Sequence, residues 1–591
     1  MAEGNQKETP LSTFRLSALA FAVGVLAGLG ATAFRILTGF FHNLFFLGRV
    51  SFSYDPNIPD TSNPLGPLIV LAPVVGAIGV ALVQRLAPET RGSGVPDTID
   101  SVYYRQGFIR PIVLAIKPLA SALSLGSGAS VGREGPALQI GAAAGSVASR
   151  LKNIPSWQRV ILVTAGASGG MAAVYNTPIG GMIFAIEIIL HEVSIVSLLP
   201  IAVSTATATY VGKALTGPHP FLYSELAGQT APASSLWAVL LYIGLGVAAG
   251  AASAGIIKGI DLSERLFVKR INRSRLFHHP LGMLPVGVII YLMFSYTGRH
   301  YVAGLGYATM HDVLSGALAG APLLVLLFAV KLAVTSASLG SGASGGIFAP
   351  SLFMGATMGS AYGLAAKALF PGLLLSPPSF AIAGMAAMAC GTTGAAIASL
   401  VMVFELTMGY GEIIPMAIAV AFSHGVRSML LKESFYTLTL ARRGHYVPLE
   451  MQSNFYQFER AADIMERSFV VMPAAATVGE FTDKLAERPE IQWCLVENSG
   501  WIEGVASRDD LLESFLERGD AVRLEEVARK DYISVTEDTT VFDVIVTMRS
   551  RDASVALVEA PSGRTPVERF GGIIGREQIG KTMMRSIGAS Y

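Results

Sequence analysis

Three short loops in this sequence carry the same kinds of residue in the same order: Gly92-Ser93-Gly94-Val95-Pro96, Gly132-Arg133-Glu134-Gly135-Pro136 and Gly346-Ile347-Phe348-Ala349-Pro350. Glycine permits a tight turn, and proline belongs in the first turn of a helix, where its missing N–H would be unpaired in any case. Each loop therefore predicts a helix N-terminus whose free N–H groups and dipole can hold an anion without a formal positive charge. An anion held that way can also leave, which suits conduction better than an ion pair with a pore Arg or Lys. A single loop of this kind is what close packing of membrane helices asks of glycine. Three of them, two at matching places in a repeat, point to a small anion as ligand. Glu134, inside the second loop, is a carboxylate able to occupy the same donors.

The elements that position these loops come in two copies. Lys117–Pro136 reads KPLASALSLGSGASVGREGP and Lys331–Pro350 reads KLAVTSASLGSGASGGIFAP, so that Ser124–Ser130 recurs unchanged as Ser338–Ser344. The copies differ where chemistry would differ, at Arg133-Glu134 against Ile347-Phe348. A further echo relates Ala165–Glu187 to Ala383–Glu405. Glu187 and Glu405 are then equivalent and read as helix-end carboxylates near an interface, while Lys117 and Lys331 read as helix-end residues that snorkel.

With 591 residues, 52% of them hydrophobic and 14% charged, and a mean hydropathy of +0.52, the chain is a polytopic membrane protein. Its apolar segments between 65 and 211, and again between 281 and 428, are often cut by Gly or Pro below the roughly 20 residues that a span needs. Broken helices in matching halves of a repeat predict a transport site near the bilayer midplane. The expected organisation is a cytoplasmic N-terminus over 1–14, a transmembrane domain over 15–445 with halves of about 15–215 and 235–445, and a linker over 446–458. Leu16–Leu47 is too long for a signal sequence and reads as the first membrane helix. Lys269, Arg270, Arg273 and Arg275 place the connection between the halves in the cytoplasm.

From Met451 onward the balance changes to 16 bases against 24 acids, where the preceding residues have 27 and 18. This tail repeats a pattern of its own: Val478–Leu485, Gln492–Glu497 and Gly504–Asp510 are echoed by Val541–Met548, Ser554–Val558 and Gly572–Gln578. Cys390 and Cys494 form no metal-ligand pattern, and His191-Glu192 lacks the second histidine of a zinc motif. Gly575–Thr582, GREQIGKT, satisfies the phosphate-loop expression, but nine residues follow it in this sequence, too few for the further helix and strands of an ATPase. No enzyme, metal or nucleic-acid reading results.

With GSGVP, GREGP and GIFAP in this order, Phe404–Thr407 reading FELT and Tyr436 in SFYTLTLARRG, the chain resembles the CLC family of chloride channels and proton-coupled chloride antiporters over about residues 15–445. The resemblance implies a polytopic all-α fold of two inverted halves with broken helices. It also implies a homodimer with one pore per subunit, multi-pass in the lipid bilayer of the cell membrane, with N-terminus and tail cytoplasmic. It makes Ser93 and Tyr436 hydroxyl ligands of a central chloride, Ile347 and Phe348 backbone N–H ligands, and Glu134 the gating glutamate. Ser93 together with GREGP is similar to the chloride type rather than the nitrate or fluoride branches. The tail resembles an α/β tandem CBS module, with copies at about 459–518 and 522–588. Ser507 and Asp510 fit the pattern of copies that hold an adenine nucleotide, whereas Gly575 and Gln578 depart from it, so the tail reads as structural and dimer-stabilising or as nucleotide-binding. No cofactor is otherwise required. One departure bears on protons: exchangers of the well-studied bacterial type carry two consecutive glutamates where this chain has Glu187 and then Ile188. With the internal proton-transfer residue missing, the expectation is a passive, glutamate-gated chloride channel. The alternative is a proton/chloride antiporter with a non-standard internal proton route, and a membrane nucleotide sensor with an inert transport fold is the third reading.

Overall fold

Apolar stretches punctuated by Gly and Pro fold into helices that pair up between the two halves of the chain. The computed structural model describes residues 10–59, 61–150, 154–217, 222, 236–270, 277–445, 447, 459–560 and 569–588, divided between two units, Met1–Met451 and Gln452–Tyr591. Most of the polar connection 216–233, the basic residues Arg273 and Arg275, and all but residue 447 of the linker 446–458 lie outside the described residues.

In the first half of the membrane unit the helices are α1 (Thr13–Leu47), α2 (Ala72–Val83), α3 (Val95–Tyr104), α4 (Val113–Gly126), α5 (Glu134–Ser149), α6 (Ser156–Tyr175), α7 (Pro178–Phe184) and α8 (Ile195–Thr216). The second half supplies α9 (Leu236–Arg270), α10 (His278–Thr297), α11 (Tyr307–Leu314), α12 (Ala321–Ser341), α13 (Phe348–Leu369), α14 (Pro377–Thr393), α15 (Ala396–Thr407) and α16 (Ile413–Leu430), followed by α17 (Phe435–Ala441). Each helix of one half has its counterpart in the other, and α1 and α9 are both 35 residues long. Among the described residues 7 helical spans are long and apolar enough to cross a membrane, while Val113–Gly126, Pro178–Leu190 and Ala396–Thr407 are shorter apolar helices. Close approach of the backbones needs glycine: a Cβ on Gly141 would lie 2.0 Å from the carbonyl oxygen of Gly166, and one on its counterpart Gly355 would lie 2.3 Å from that of Gly384. These contacts seat α5 on α6 and α13 on α14.

The unchanged SLGSGAS heptapeptide has a physical cause. Ser344 donates its N–H to Ser124 Oγ (3.0 Å) and Ser130 donates its N–H to Ser338 Oγ (3.2 Å). The Ser121 and Ser344 hydroxyls pair at 2.9 Å, and those of Thr335 and Ser130, their counterparts, at 2.8 Å. The two copies dock on each other so that each satisfies the buried hydroxyls of the other.

Lys117 and Lys331 do not snorkel. Both are fully buried, and their ammonium groups donate to backbone carbonyls: Lys117 to Thr90 (3.0 Å) and Gly92 (2.9 Å), Lys331 to Val302 (3.0 Å) and Gly304 (2.8 Å). The second pair exposes a fourth loop, Gly304-Leu305-Gly306, with φ of 54° and 76°, as counterpart of Gly92-Ser93-Gly94, where Gly92 and Gly94 have φ of 67° and 86°. Glu187 and Glu405 are equivalent helix-end carboxylates with a reciprocal task. Glu187, on a π-helical turn over Ala185–Leu190, accepts the N–H groups of Ala396 (2.8 Å), Ile397 (3.2 Å) and Ala398 (2.8 Å). Glu405 accepts those of Ile179 (3.1 Å) and Gly180 (2.7 Å). Each carboxylate closes the N-terminus of the helix whose far end carries the other, so α7 and α15 run antiparallel, as inverted halves require.

The tail holds α18 (Ala461–Ile464), β1 (Phe469–Pro473), α19 (Val478–Glu487), β2 (Trp493–Asn498), β3 (Trp501–Ser507), α20 (Arg508–Arg518), α21 (Leu524–Val527), β4 (Tyr532–Thr536), α22 (Val541–Ser550), β5 (Val555–Glu559), β6 (Phe570–Gly575) and α23 (Arg576–Gly588). Its two three-stranded sheets are ordered β1-β2-β3 and β4-β5-β6, and each has one parallel and one antiparallel pairing. The sheets share an apolar core of Leu495, Val505, Val555, Leu557 and Ile573. The copies are not the contiguous blocks 459–518 and 522–588. Ala461, Ile464 and Met465 pack into the core of the second sheet, and Leu524 packs into that of the first, so the opening segments are exchanged. Residues 576–582 are helical and Lys581 pairs with Glu577 at 2.7 Å, which leaves no phosphate loop there. Burial pushes the Cys494 thiol up to about 12.

Removing either reciprocal cap exposes unpaired N–H groups in an apolar setting. Glu187→Ala and Glu405→Ala should each cost about 0.5–2 kcal/mol, visible as a lower midpoint in thermal unfolding of detergent-solubilised protein; an unshifted midpoint in both would refute the capping role.

Candidate anion site

The three glycine loops are tied together by their own backbones. Gly132 and Gly346 exchange N–H···O bonds of 2.7 and 2.8 Å, and Gly345 donates to the Gly92 carbonyl at 3.1 Å. The N-termini of α3, α5 and α13 are thereby brought to one place.

Glu134 is the first residue of α5 and is fully buried. Its carboxylate crosses to the other half: Oε1 accepts the Phe348 N–H at 2.6 Å and Oε2 accepts the Tyr175 hydroxyl at 3.1 Å. It lies so close to the loops that a Cβ on Gly132 would sit 2.0 Å from Oε2 and one on Gly346 1.9 Å from Oε1. Ile347, the N-cap residue of α13, is also fully buried. Ser93 and Tyr436 are 4% and 1% exposed, and neither hydroxyl finds a protein partner. A buried hydroxyl without a protein partner is open to water or a ligand, and two of them, one in a glycine loop and one beside Phe184, fit a small anion. Around them the Phe184 ring stands edge-on to both Phe348 (6.5 Å) and Tyr436 (6.2 Å).

Two cavities lie beside the glycine loops. Ser93 faces a cavity of about 600 Å³ whose walls include Arg85, Arg91, His279 and Arg443. A smaller cavity is lined by Arg35, Tyr54, Arg133 and Leu305, with the Arg133 guanidinium over the rings of Tyr307 (4.9 Å) and Tyr175 (5.4 Å). Arginines outnumber the acids Asp97 and Glu264 in the larger cavity, and two arginines line the smaller one, an excess of positive charge that favours anions near the loops. An anion at the Phe348 N–H would compete with Glu134 for that donor. A neutral, protonated side chain is the weaker competitor, because hydrogen bonds to ionised acceptors are the strong ones.

The helices that carry the two hydroxyls are clamped to each other. Arg443, just after α17, pairs with Asp97 of α3 at 2.9 Å. Asp100 pairs with Arg105 at 3.0 Å and is hydrogen-bonded to His445, whose ring stacks on Tyr104 at 4.0 Å. Arg442 pairs with Asp261 and Glu264 of α9.

Ser93, Glu134, Ile347, Phe348 and Tyr436 are thus gathered at the glycine loops. Ser507 and Asp510 belong to the tail: Ser507 Oγ accepts the Asp510 N–H at 3.1 Å as the cap of α20, and Asp510 pairs with Arg529 at 2.8 Å. In the other copy Gln578 accepts the Gly575 N–H at 3.0 Å, and the Trp493 ring lies 2.8 Å from where a Gly575 Cβ would be. Tyr175 and the fourth glycine loop were not foreseen: a lone tyrosine before Asn176 carries no pattern, and Gly304-Leu305-Gly306 lacks the closing proline. Arg443 and His445 follow Tyr436 closely, yet their partners on α3 are far away in sequence. Among the described residues no group of three or more His, Cys, Asp or Glu is placed to hold a metal.

The profile of the family described as "Voltage gated chloride channel" matches residues 74–428. The chain is 33% identical over 421 residues, 69% of this chain and 85% of the relative, to the H(+)/Cl(-) exchange transporter ClcA of Vibrio vulnificus. It is 32% identical over 390 residues, 63% of this chain and 85% of the relative, to a ClcB-like protein of Ralstonia nicotianae whose name places it among chloride channel proteins. A crystal structure of a eukaryotic CLC transporter has the same fold, with a TM-score of 0.62 at 19% identity, covering 96% of this chain and 98% of that one.

Each hydroxyl can give the anion one hydrogen bond, worth about 1.5 kcal/mol or more to a charged acceptor. Ser93→Ala and Tyr436→Phe should therefore each raise the chloride Kd roughly tenfold, read by calorimetry on purified protein, and an unchanged Kd in the double variant would remove both from the site.

Proposed function

The chain belongs to the voltage gated chloride channel (CLC) family, and on that premise we propose that it exchanges chloride for protons across the cell membrane. The observation that carries this reading is the Glu134 carboxylate on the Phe348 N–H (2.6 Å), inside the loops that hold the anion. Chloride reaches the Ser93 and Tyr436 hydroxyls and the N–H groups of Ile347 and Phe348 when Glu134 takes a proton and gives up its bond. When chloride leaves, the carboxylate loses its proton and returns. One group thereby links the two ions. The exchange transporter from Vibrio vulnificus supports this over passive conduction, so the expectation of a passive channel yields to its alternative. The name of the Ralstonia relative and Ile188 in place of a second glutamate speak for the channel.

In this reading the N-terminus and tail are cytoplasmic and the protein is a homodimer. The exposed apolar residues Ile179, Ile195, Ile397 and Ile414, on α7, α8, α15 and α16, suit a partner subunit or lipid. The tail acts as a CBS pair with a structural role. The Asp510–Arg529 pair is partly exposed and worth at most about 1 kcal/mol, so it would not by itself keep a nucleotide out. The departure at Gly575 and Gln578, with Trp493 packed there, weighs more. A nucleotide sensor with an inert transport fold leaves the gathered hydroxyls and Glu134 without a task.

In liposomes with a chloride gradient, the wild-type protein should drive protons uphill, and Glu134→Gln should abolish the proton flux while chloride still passes; a reversal potential fixed by chloride alone would establish the passive channel instead. Titration of ATP into the full-length protein should give no saturable heat. A saturable signal that disappears in Asp510→Ala would restore the nucleotide site.

A further inference from the structure

Glu192 is a buried acid that the anion site does not use. It follows the π-helical turn Ala185–Leu190 and the left-handed His191 (φ 51°), is 1% exposed, and neither carboxylate oxygen reaches solvent. Its neighbours are hydroxyls: Ser194 and Ser197 face the carboxylate, and Tyr103 lies beside it, donating to the Leu190 carbonyl at 2.8 Å and lying 3.4 Å from His191 Nδ1. Among the described residues it makes no ion pair. Other carboxylates of the membrane unit are engaged: Glu187 and Glu405 close helices, Asp97 and Asp100 face Arg443, Arg105 and His445, and Glu89 and Asp312 pair with Arg110 and Arg299.

Its position suits a proton path. Phe184, whose ring touches both Phe348 and Tyr436, opens the run that passes Ile188 and ends at Glu192, eight residues on; at helical rise that is about 12 Å. Tyr103 and Tyr104 close α3, whose other end carries Ser93, and Tyr104 stacks on His445, where the chain leaves the membrane unit. Glu192 therefore sits on the exit side of the anion site. Acids inside a membrane unit mark ion pathways and proton relays, and π-helical turns recur at functional sites. Hydroxyl neighbours both donate and accept, which serves a proton rather than a metal.

Resting on the exchange reading above, we propose that Glu192 is the internal proton-relay residue, taking the place that a glutamate at position 188 would have. The O–H bond of the Glu134 carboxyl breaks, the proton passes along intervening water molecules, and an O–H bond forms on the Glu192 carboxylate. Glu192 then releases the proton to water on the exit side, and chloride moves the opposite way.

The test uses the full chain in liposomes, with chloride efflux and chloride-driven proton flux recorded together. Glu192→Gln should lower the proton flux about a hundredfold while chloride efflux persists, moving the reversal potential toward that of chloride alone. Glu192→Asp keeps an acid one methylene shorter and should retain coupling at a reduced rate, which gives a reading even where the amide variant fails to fold. Wild-type proton flux in Glu192→Gln, or coupling lost in folded Glu192→Asp although an acid is kept, overturns the assignment. Absence of coupled proton flux in the wild type would instead refute exchange itself, a separate outcome.

Discussion

The centre of the membrane unit depends on the hydrogen bonds that two copies of one heptapeptide make to each other. Ser124, Ser130, Ser338 and Ser344 are buried, and a buried hydroxyl or N–H in a low-dielectric interior must be paired. Each copy satisfies the other only in one mutual arrangement, and that arrangement delivers the loops that follow, 131–136 and 345–350, to the same point from opposite sides. The loops then differ in what they bring. One supplies a carboxylate, Glu134, and the other a bare N–H at Phe348. A symmetric scaffold thereby creates an asymmetric site.

Several buried or half-buried charges elsewhere among the described residues of the unit are held by backbone groups rather than turned toward the glycine loops' N–H groups. Lys117 and Lys331 donate hydrogen bonds to loop carbonyls, and Glu187 and Glu405 accept hydrogen bonds from helix N–H groups. A charged side chain at the bilayer centre costs about 2.5–3.5 kcal/mol on insertion scales, and several hydrogen bonds per group offset that cost. The lysines also order the glycine loops they bond, so their charge shapes the site without entering it. What remains for an anion is a set of dipoles and hydroxyls, weak enough individually to let it go.

The repeat and the glycine loops were legible in the sequence because local grammar carries them: glycine for a turn, proline for a first helical turn, and a second copy to compare. Tyr436, which lies in no such loop, was joined to Ser93, Glu134 and Phe348 only through the resemblance to the CLC family. The depth of Lys117 and Lys331 was not, since a snorkelling and a buried lysine have the same neighbours in sequence and differ in which distant carbonyls come near. The reciprocal caps have the same character: Glu187 and Glu405 could be matched, but not paired with Ala396–Ala398 and Gly180. In the tail, the exchange of opening segments was hidden because both copies have the same pattern, and only the packing of Ala461 and Leu524 tells which sheet owns which helix.

The clamp between α3 and the end of α17 makes the exit of the chain a mechanical part of the site. Asp97 and Asp100 sit on a rod of 10 residues whose near end is the Ser93 loop, and they are gripped by Arg443 and His445, the last turn before the linker. A displacement of residues 442–445 is therefore resisted by this rod. Any shift of Arg443 and His445 that keeps these contacts carries α3, and with it the Ser93 loop, along.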